Sequence, residues 1–234
     1  DNMSLAGETI DFGPCAFMDE YHSEKVYSSI DRYGRYAYIN QPKIAQWNLS
    51  VLAGCFALIS NEKELEGLQE SLNSWDDQYQ QALRAVYAPK FGLEDHDSLS
   101  YDFIQNWLWL LEKYELDFTL SHRRLADYLD IDQSGFFPPE EDFENWFKKW
   151  KELIQEESRP KEIVKLEMNT HNPLIIPRNH QVDKALKLAV QGDCSYFMKL
   201  WEALKTPYQS DPDVEEFITP PQTSEKIKAT FCGT

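Results

Sequence analysis

Along most of the chain apolar residues recur at the three-and-four spacing of an amphipathic helix. Ile44, Trp47, Val51, Cys55 and Leu58 form one stripe, and Leu65, Leu68, Leu72, Trp75, Tyr79 and Leu83 form a second. Phe103, Trp107, Leu110, Leu111 and Tyr114 make a third, and Phe143, Trp146, Phe147, Trp150, Leu153 and Ile154 a fourth. Val182, Ala185, Leu186, Ala189 and Val190 lead to a stop at Gly192, after which a last helix is predicted through Phe197, Leu200, Trp201 and Leu204. The aromatic positions of these stripes read as core. From about Lys43 onward the pattern thus predicts a mainly α domain.

The first forty residues break that period. Met3-Ser4-Leu5 and Thr9-Ile10-Asp11 flank Ala6-Gly7-Glu8, which predicts a short β-hairpin with Gly7 at positive φ and Asp11 at the end of the second strand. Residues 13–42 have no period and are rich in Tyr, Ser, Asp and Gly, as in a long ordered loop of the functional kind. After Thr206, Pro207, Pro212, Pro220 and Pro221 predict an extended tail. The resulting division is a hairpin and loop over 1–42, a helical domain over 43–205 and a tail over 206–234.

With 234 residues, 42% apolar and 14% aromatic, the chain can bury a substantial core. Its 40 acidic against 23 basic side chains give a net charge of −17, which argues against nucleic acid or an anionic membrane as a main partner. There is no apolar run of transmembrane length. Cys15, Cys55, Cys194 and Cys232 have neither the spacing of a zinc site nor the density of a disulfide scaffold, so a reducing compartment fits: cytoplasmic, or mitochondrial in a eukaryote. The sequence starts at Asp1 rather than a methionine, and is expected to be the downstream part of a longer protein.

Candidate chemistry gathers at that start. A hairpin would bring Asp1-Asn2 and Asp11 to one edge, where Asn2 and Asp11 supply the oxygen pair that magnesium takes together with phosphate oxygens and water. Asp1 is then left to accept a proton from an incoming hydroxyl. Asp-Phe-Gly and Asp-Asn also arise as ordinary turn sequences, and spacing alone leaves that reading open. A conventional protein kinase sets the base and the asparagine five residues apart, with Asp-Phe-Gly well downstream; here the first pair is adjacent and the gap short.

The stretch DNMSLAGETIDFGPCAFMDEY resembles the catalytic segment of the selenoprotein O (YdiU) family. The likeness continues in Gly34-Arg35-Tyr36-Ala37-Tyr38 with Gln41-Pro42 and Trp47-Asn48-Leu49, in Asn172-Pro173 with Ile176-Pro177-Arg178-Asn179-His180, and in Cys232-Gly233-Thr234. The resemblance implies a protein-kinase-like fold that binds ATP in a flipped orientation and transfers AMP to Ser, Thr or Tyr hydroxyls of other proteins. It implies Asp1 as proton acceptor, Asn2 and Asp11 as ligands of magnesium, or manganese in its place, and Asp11 as a nucleotide contact. None of the nine glycines forms Gly-x-Gly, so the phosphate loop and its lysine are not here. The chain is expected to be the helical C-lobe without its N-lobe, and inactive alone. Kinase-type phosphate transfer, or a non-catalytic helical interaction module, are the alternatives.

Three further features have a chemical and a bland reading. Asp130, Asp132, Ser134, Gly135 and Glu141 fit a calcium loop, yet Pro138 and Pro139 sit inside it and more simply start the next helix. His171, Arg178 and His180 around Asn172-Pro173 could contact phosphate or peptide, or could satisfy backbone groups before a helix beginning near Asn179, which is the favoured reading. His22, His96 and His122 are expected to be exposed. The resemblance places a redox partner for Cys232 in the loop that here reads Val26-Tyr27-Ser28-Ser29, without cysteine, so Cys232 is expected exposed and unpaired.

Overall fold

The computed structural model describes residues 3–8, 16–130 and 135–230, apart from the side chain of Pro212. It is mainly helical. Ten α-helices lie among the described residues: α1 (Gln41–Ala57), α2 (Glu62–Asn73), α3 (Trp75–Lys90), α4 (Tyr101–Lys113), α5 (Phe118–Leu125), α6 (Glu141–Glu156), α7 (Lys161–His171), α8 (Asn179–Val190), α9 (Ser195–Lys205) and α10 (Glu215–Ile218). The extended pairing among these residues is an isolated antiparallel bridge between Glu20 and Asp117. Residues 3–8 are not a strand. They make a turn in which Gly7 N–H donates to Ser4 O (3.1 Å) and Gly7 takes the positive φ of 70° read from the sequence. Thr9, Ile10 and Asp11, the predicted second strand, lie outside the described residues.

Local chemistry explains where the helices begin and end. Asn61 and Glu64 form a capping box at the start of α2, and Ser100 and Asp117 cap α4 and α5 through the N–H groups of Phe103 and Leu120. The second apolar stripe, continuous in sequence, is two helices. Ser74 leaves the helix (φ −85°, ψ 4°), its hydroxyl bonds back to Ser71 O, and Trp75 starts α3 with Asp76 and Asp77 in its first turn. Pro138 and Pro139 precede α6, whose N-cap is Glu140.

The chain divides into two compact units. One comprises residues 1–15, 23–83 and 230–234. Its loop is ordered by local bonds: the Asp31 carboxylate accepts from Arg35 N (2.9 Å) and Tyr36 N (2.8 Å), and Asn40 Nδ2 donates to Gly34 O (2.7 Å). Thr230 joins the same loop. Ser29 N donates to Thr230 O (2.7 Å), Thr230 Oγ1 to Tyr27 O (2.7 Å) and Thr230 N to Ser29 Oγ (3.2 Å).

The other unit comprises 16–22 and 84–229. Here α4 and α6 bury the predicted aromatics: Trp107 and Trp146 pack at a tilt of 35° with ring centroids 4.6 Å apart, and Trp150 Nε1 donates to Phe91 O (2.8 Å). His122, expected at the surface, is buried in this cluster between Trp107 and Phe118. Gly92 has φ +79°, and a Cβ there would lie 2.6 Å from Val164 Cγ1 and 2.9 Å from Met168 Sδ. A second cluster joins Leu120, Leu174, Ile175, Ala185, Leu200 and Phe217. Phe217, fully buried, belongs to α10, a helical turn within the segment read as an extended tail. Not all stripe aromatics are core: Trp47 and Trp201 are each 47% exposed.

Candidate functional site

Asp1, Asn2 and Asp11 lie outside the described residues, so their mutual geometry is not on view. Their donor chemistry, a carboxamide oxygen and a carboxylate, fits a hard divalent cation. What the structure does place is the chain just beyond them. Residues 17–21 are held by a polar cluster built from the starts of two helices.

The first of these starts is α8. Arg178 occupies its N-cap position with a side chain wholly removed from solvent. Nη1 donates to Asp19 Oδ1 (2.5 Å) and Asp117 Oδ2 (2.7 Å), Nη2 to Asp117 Oδ1 (3.2 Å) and Nε to the carbonyl of Ile218 (3.2 Å). Arginine suits this place because its planar fork serves two carboxylates and a carbonyl without losing its charge. Next to it, Asn179 grips the backbone of Phe17 from both sides, Oδ1 accepting from Phe17 N (3.0 Å) and Nδ2 donating to Phe17 O (2.9 Å).

The second start is α5. Asp117 caps it through Leu120 N (2.8 Å) with the same carboxylate that Arg178 holds. The backbone beside it completes the seat, Phe118 N donating to Asp19 O (2.8 Å) and Tyr21 N to Leu116 O (2.9 Å), while Lys226 pairs with Glu20 at 2.8 Å. Burial pushes the Asp117 carboxyl above its ordinary range, against the opposing pull of Arg178 and of Leu120 N–H. For Arg178 burial works to lower the pKa, but the hydrogen bonds and charges of Asp117 and Asp19 outweigh it and raise the guanidinium further. With four hydrogen bonds from one guanidinium, the group is an anchor for the segment that holds Asp19.

Arg178 and Asn179 were singled out in the sequence, and α8 begins at Asn179 as predicted. Asp19 and Asp117 were not. Asp117 carried one visible signal, an acidic residue directly before a short helix. The rest of the motif is structural. Asn172 Nδ2 donates to Lys90 O (2.8 Å), Lys90 Nζ and Arg123 Nη1 cover the last carbonyls of α7 at His171 and Asn169 (2.8 Å each), and His171 is exposed. Burial lowers the pKa of His180, which is half-buried. In the calcium-like segment Gly135 has φ +70° and Glu141 opens α6, while Asp132 and Ser134 lie outside the described residues. Cys55 and Cys194 are free and exposed, and Cys15 and Cys232 lie outside the described residues.

The unit holding α1 also carries a cavity of about 550 Å³ beside Met3, walled by Tyr36, Tyr38, Gln41, Trp75 and Tyr79 among others. None of its described lining residues is charged, and these offer stacking surfaces and amides. Among the described residues no group of three or more His, Cys, Asp or Glu is arranged to hold a metal, and no helix is long and apolar enough to cross a membrane.

By its sequence this helical chain matches a known class of transferases. Residues 1–205 match the family model described as protein adenylyltransferase SelO, and the chain belongs to that family. Three similar proteins, each named protein nucleotidyltransferase YdiU, align with the whole chain: 41% identical in Bacillus cereus, and 39% in both Bradyrhizobium diazoefficiens and Ruegeria pomeroyi. The chain spans about half the length of these relatives, 48% for the first and third and 49% for the second.

Proposed function

We propose that this chain is the carboxy-terminal part of a protein adenylyltransferase, a protein-kinase-like C-lobe whose metal and base groups lie at its amino end. In the complete enzyme a Ser, Thr or Tyr hydroxyl of a protein substrate attacks the α-phosphorus of ATP. The new bond is O–P, the bond to the β-phosphate oxygen breaks, and pyrophosphate leaves. Asp1 accepts the hydroxyl proton. Asn2 and Asp11 would hold magnesium, or manganese in its place, which when bound would supply positive charge against the phosphates. Residues 1–42 carry this chemistry, probing contacts with nucleotide through Asp11, on a support formed by residues 43–205, with 206–234 as a tail.

The observation that carries this reading is the family match over residues 1–205, with Asp1, Asn2 and Asp11 at the positions of the resembled catalytic segment. The seating of residues 17–21 on Arg178, Asn179 and Asp117 supports it, since a metal-holding segment needs a fixed anchor downstream. The test is isotopic. In the full-length protein, ATP labelled at the α-phosphate should leave label on protein hydroxyls, and ATP labelled at the γ-phosphate should not. Equal transfer of the γ-label would replace adenylylation by phosphorylation; transfer of neither would leave a helical interaction module.

A further inference from the structure

We infer that the apolar surface of α1 is an interface for the half of the family polypeptide that this chain does not span. Taking 100° per residue, Ile44, Trp47, Leu49, Val51, Leu52 and Phe56 spread over about 200° of the circumference of α1, whose one charged residue is Lys43. An arc that wide exceeds the apolar stripe of an ordinary surface helix. Yet no residue of α1 is buried. Exposed apolar residues recur along this stretch, from Ile39 (59%) through Trp47, Val51 and Phe56 to Leu58 (87%) and Ile59 (83%), while Ile44, Leu49 and Leu52 are half-buried. A patch of that kind marks an interaction surface.

The occupant follows from length and shape. The relatives are about twice as long as this chain, so a second half of comparable size has to pack somewhere, and the matched family region includes α1 whole. The surface is concave at its amino end, where Gln41, Ile44 and Asn48 of α1 line a cavity together with Tyr38, Trp75 and Tyr79. A hollow takes an entering segment of a different chain portion. The inference takes the chain as the carboxy-terminal part of its protein, as proposed above, but not the adenylylation chemistry, which the isotopic test decides separately.

Cys55 lies on α1, exposed and free, and Cys194 is exposed in the other unit, so the molecule carries its own probe and reference. With Cys15→Ser and Cys232→Ser introduced, maleimide labelling is followed in the 234-residue chain and in one polypeptide that places the remaining half of a family member ahead of Asp1. Cys55 should react at least about tenfold more slowly in the longer polypeptide, the protection expected of a residue that must open to react, with Cys194 unchanged. Equal Cys55 rates in the two would overturn the proposal. So would a 234-residue chain that protects Cys55 while running at twice its mass, which would make a second copy the occupant. A substitution gives an independent check: Val51→Asp should lower the Tm of the longer polypeptide far more than Val190→Asp, although both valines are exposed in this chain (49% and 89%). Equal losses would also overturn it.

Discussion

Trp107 Nε1 donates to His122 Nε2 (3.1 Å), so Nδ1 must carry the hydrogen directed at Phe118 O (2.7 Å) and the imidazole is held neutral. Protonation would set one N–H against another. Burial is the larger cause of a pKa lowered to about 3, with Lys90 adding to it and the Phe118 carbonyl opposing. The unfolded chain binds that proton near pH 6.5, so the folded state is fully favoured above this value and loses stability as pH falls from there toward 3. His122 alone should remove about 2 kcal/mol between pH 7 and pH 5. In His122→Gln the urea-measured stability should be lower at pH 7 but fall less steeply with acid; an unchanged slope would contradict the assignment. Gly92 makes a steric prediction of the same grain. Positive φ and a 2.6 Å approach to Val164 should make Gly92→Ala cost about 2–5 kcal/mol. Gly67→Ala, in an exposed turn of α2 with open space around it, should instead stabilise by up to about 1 kcal/mol.

At the level of elements, the apolar period was sufficient for α4 and α6, because long stripes of large aromatics admit one reading. It failed at Ser74, where a hydroxyl bonding back to Ser71 breaks a stripe that stays in phase across the break. It marked no stripe for α5, α7 or α10, since the 4-residue α10 owes its existence to the burial of Phe217 and not to its own propensity. The starts of α5 and α8 do more than cap. Through Asp117 and Asn179 they convert helix termini into fasteners for residues 17–21. Asn179→Ala should therefore speed amide exchange of Phe17 by about tenfold or more, since its N–H loses its acceptor, while the interior of α8 keeps its protection. Exchange at Phe17 that stays as slow as in the parent would show that the asparagine is not what holds it. Arg178→Met is the harsher change, costing about 3–5 kcal/mol by leaving two carboxylates without their cation.

For the molecule as a whole, family and chemical class were legible from a few short motifs, and the anchor was not. Arg178 stands 61 positions from Asp117 and 159 from Asp19, and nothing local in the sequence pairs them. The expected base and metal ligands, Asp1, Asn2 and Asp11, remain a reading from sequence. It yields a division of labour in the complete enzyme: Asp11→Ala should abolish α-label transfer and weaken metal-nucleotide binding, while Asp1→Ala should lower turnover and leave nucleotide affinity within a few fold. A net charge of −17 also sets an expectation for the isolated 234 residues, which should bind Mg-ATP too weakly for calorimetry to return a micromolar constant.

The loop at Tyr27 and Ser29 is fastened to Thr230 by three hydrogen bonds, two through the backbone of Thr230 and one through its hydroxyl. A fastening of that kind has no reduction potential. It holds equally in reducing and oxidising surroundings. For this loop, then, the controlling variable is the covalent continuity of the backbone that carries Thr230, which a protease can cut and no reductant can restore.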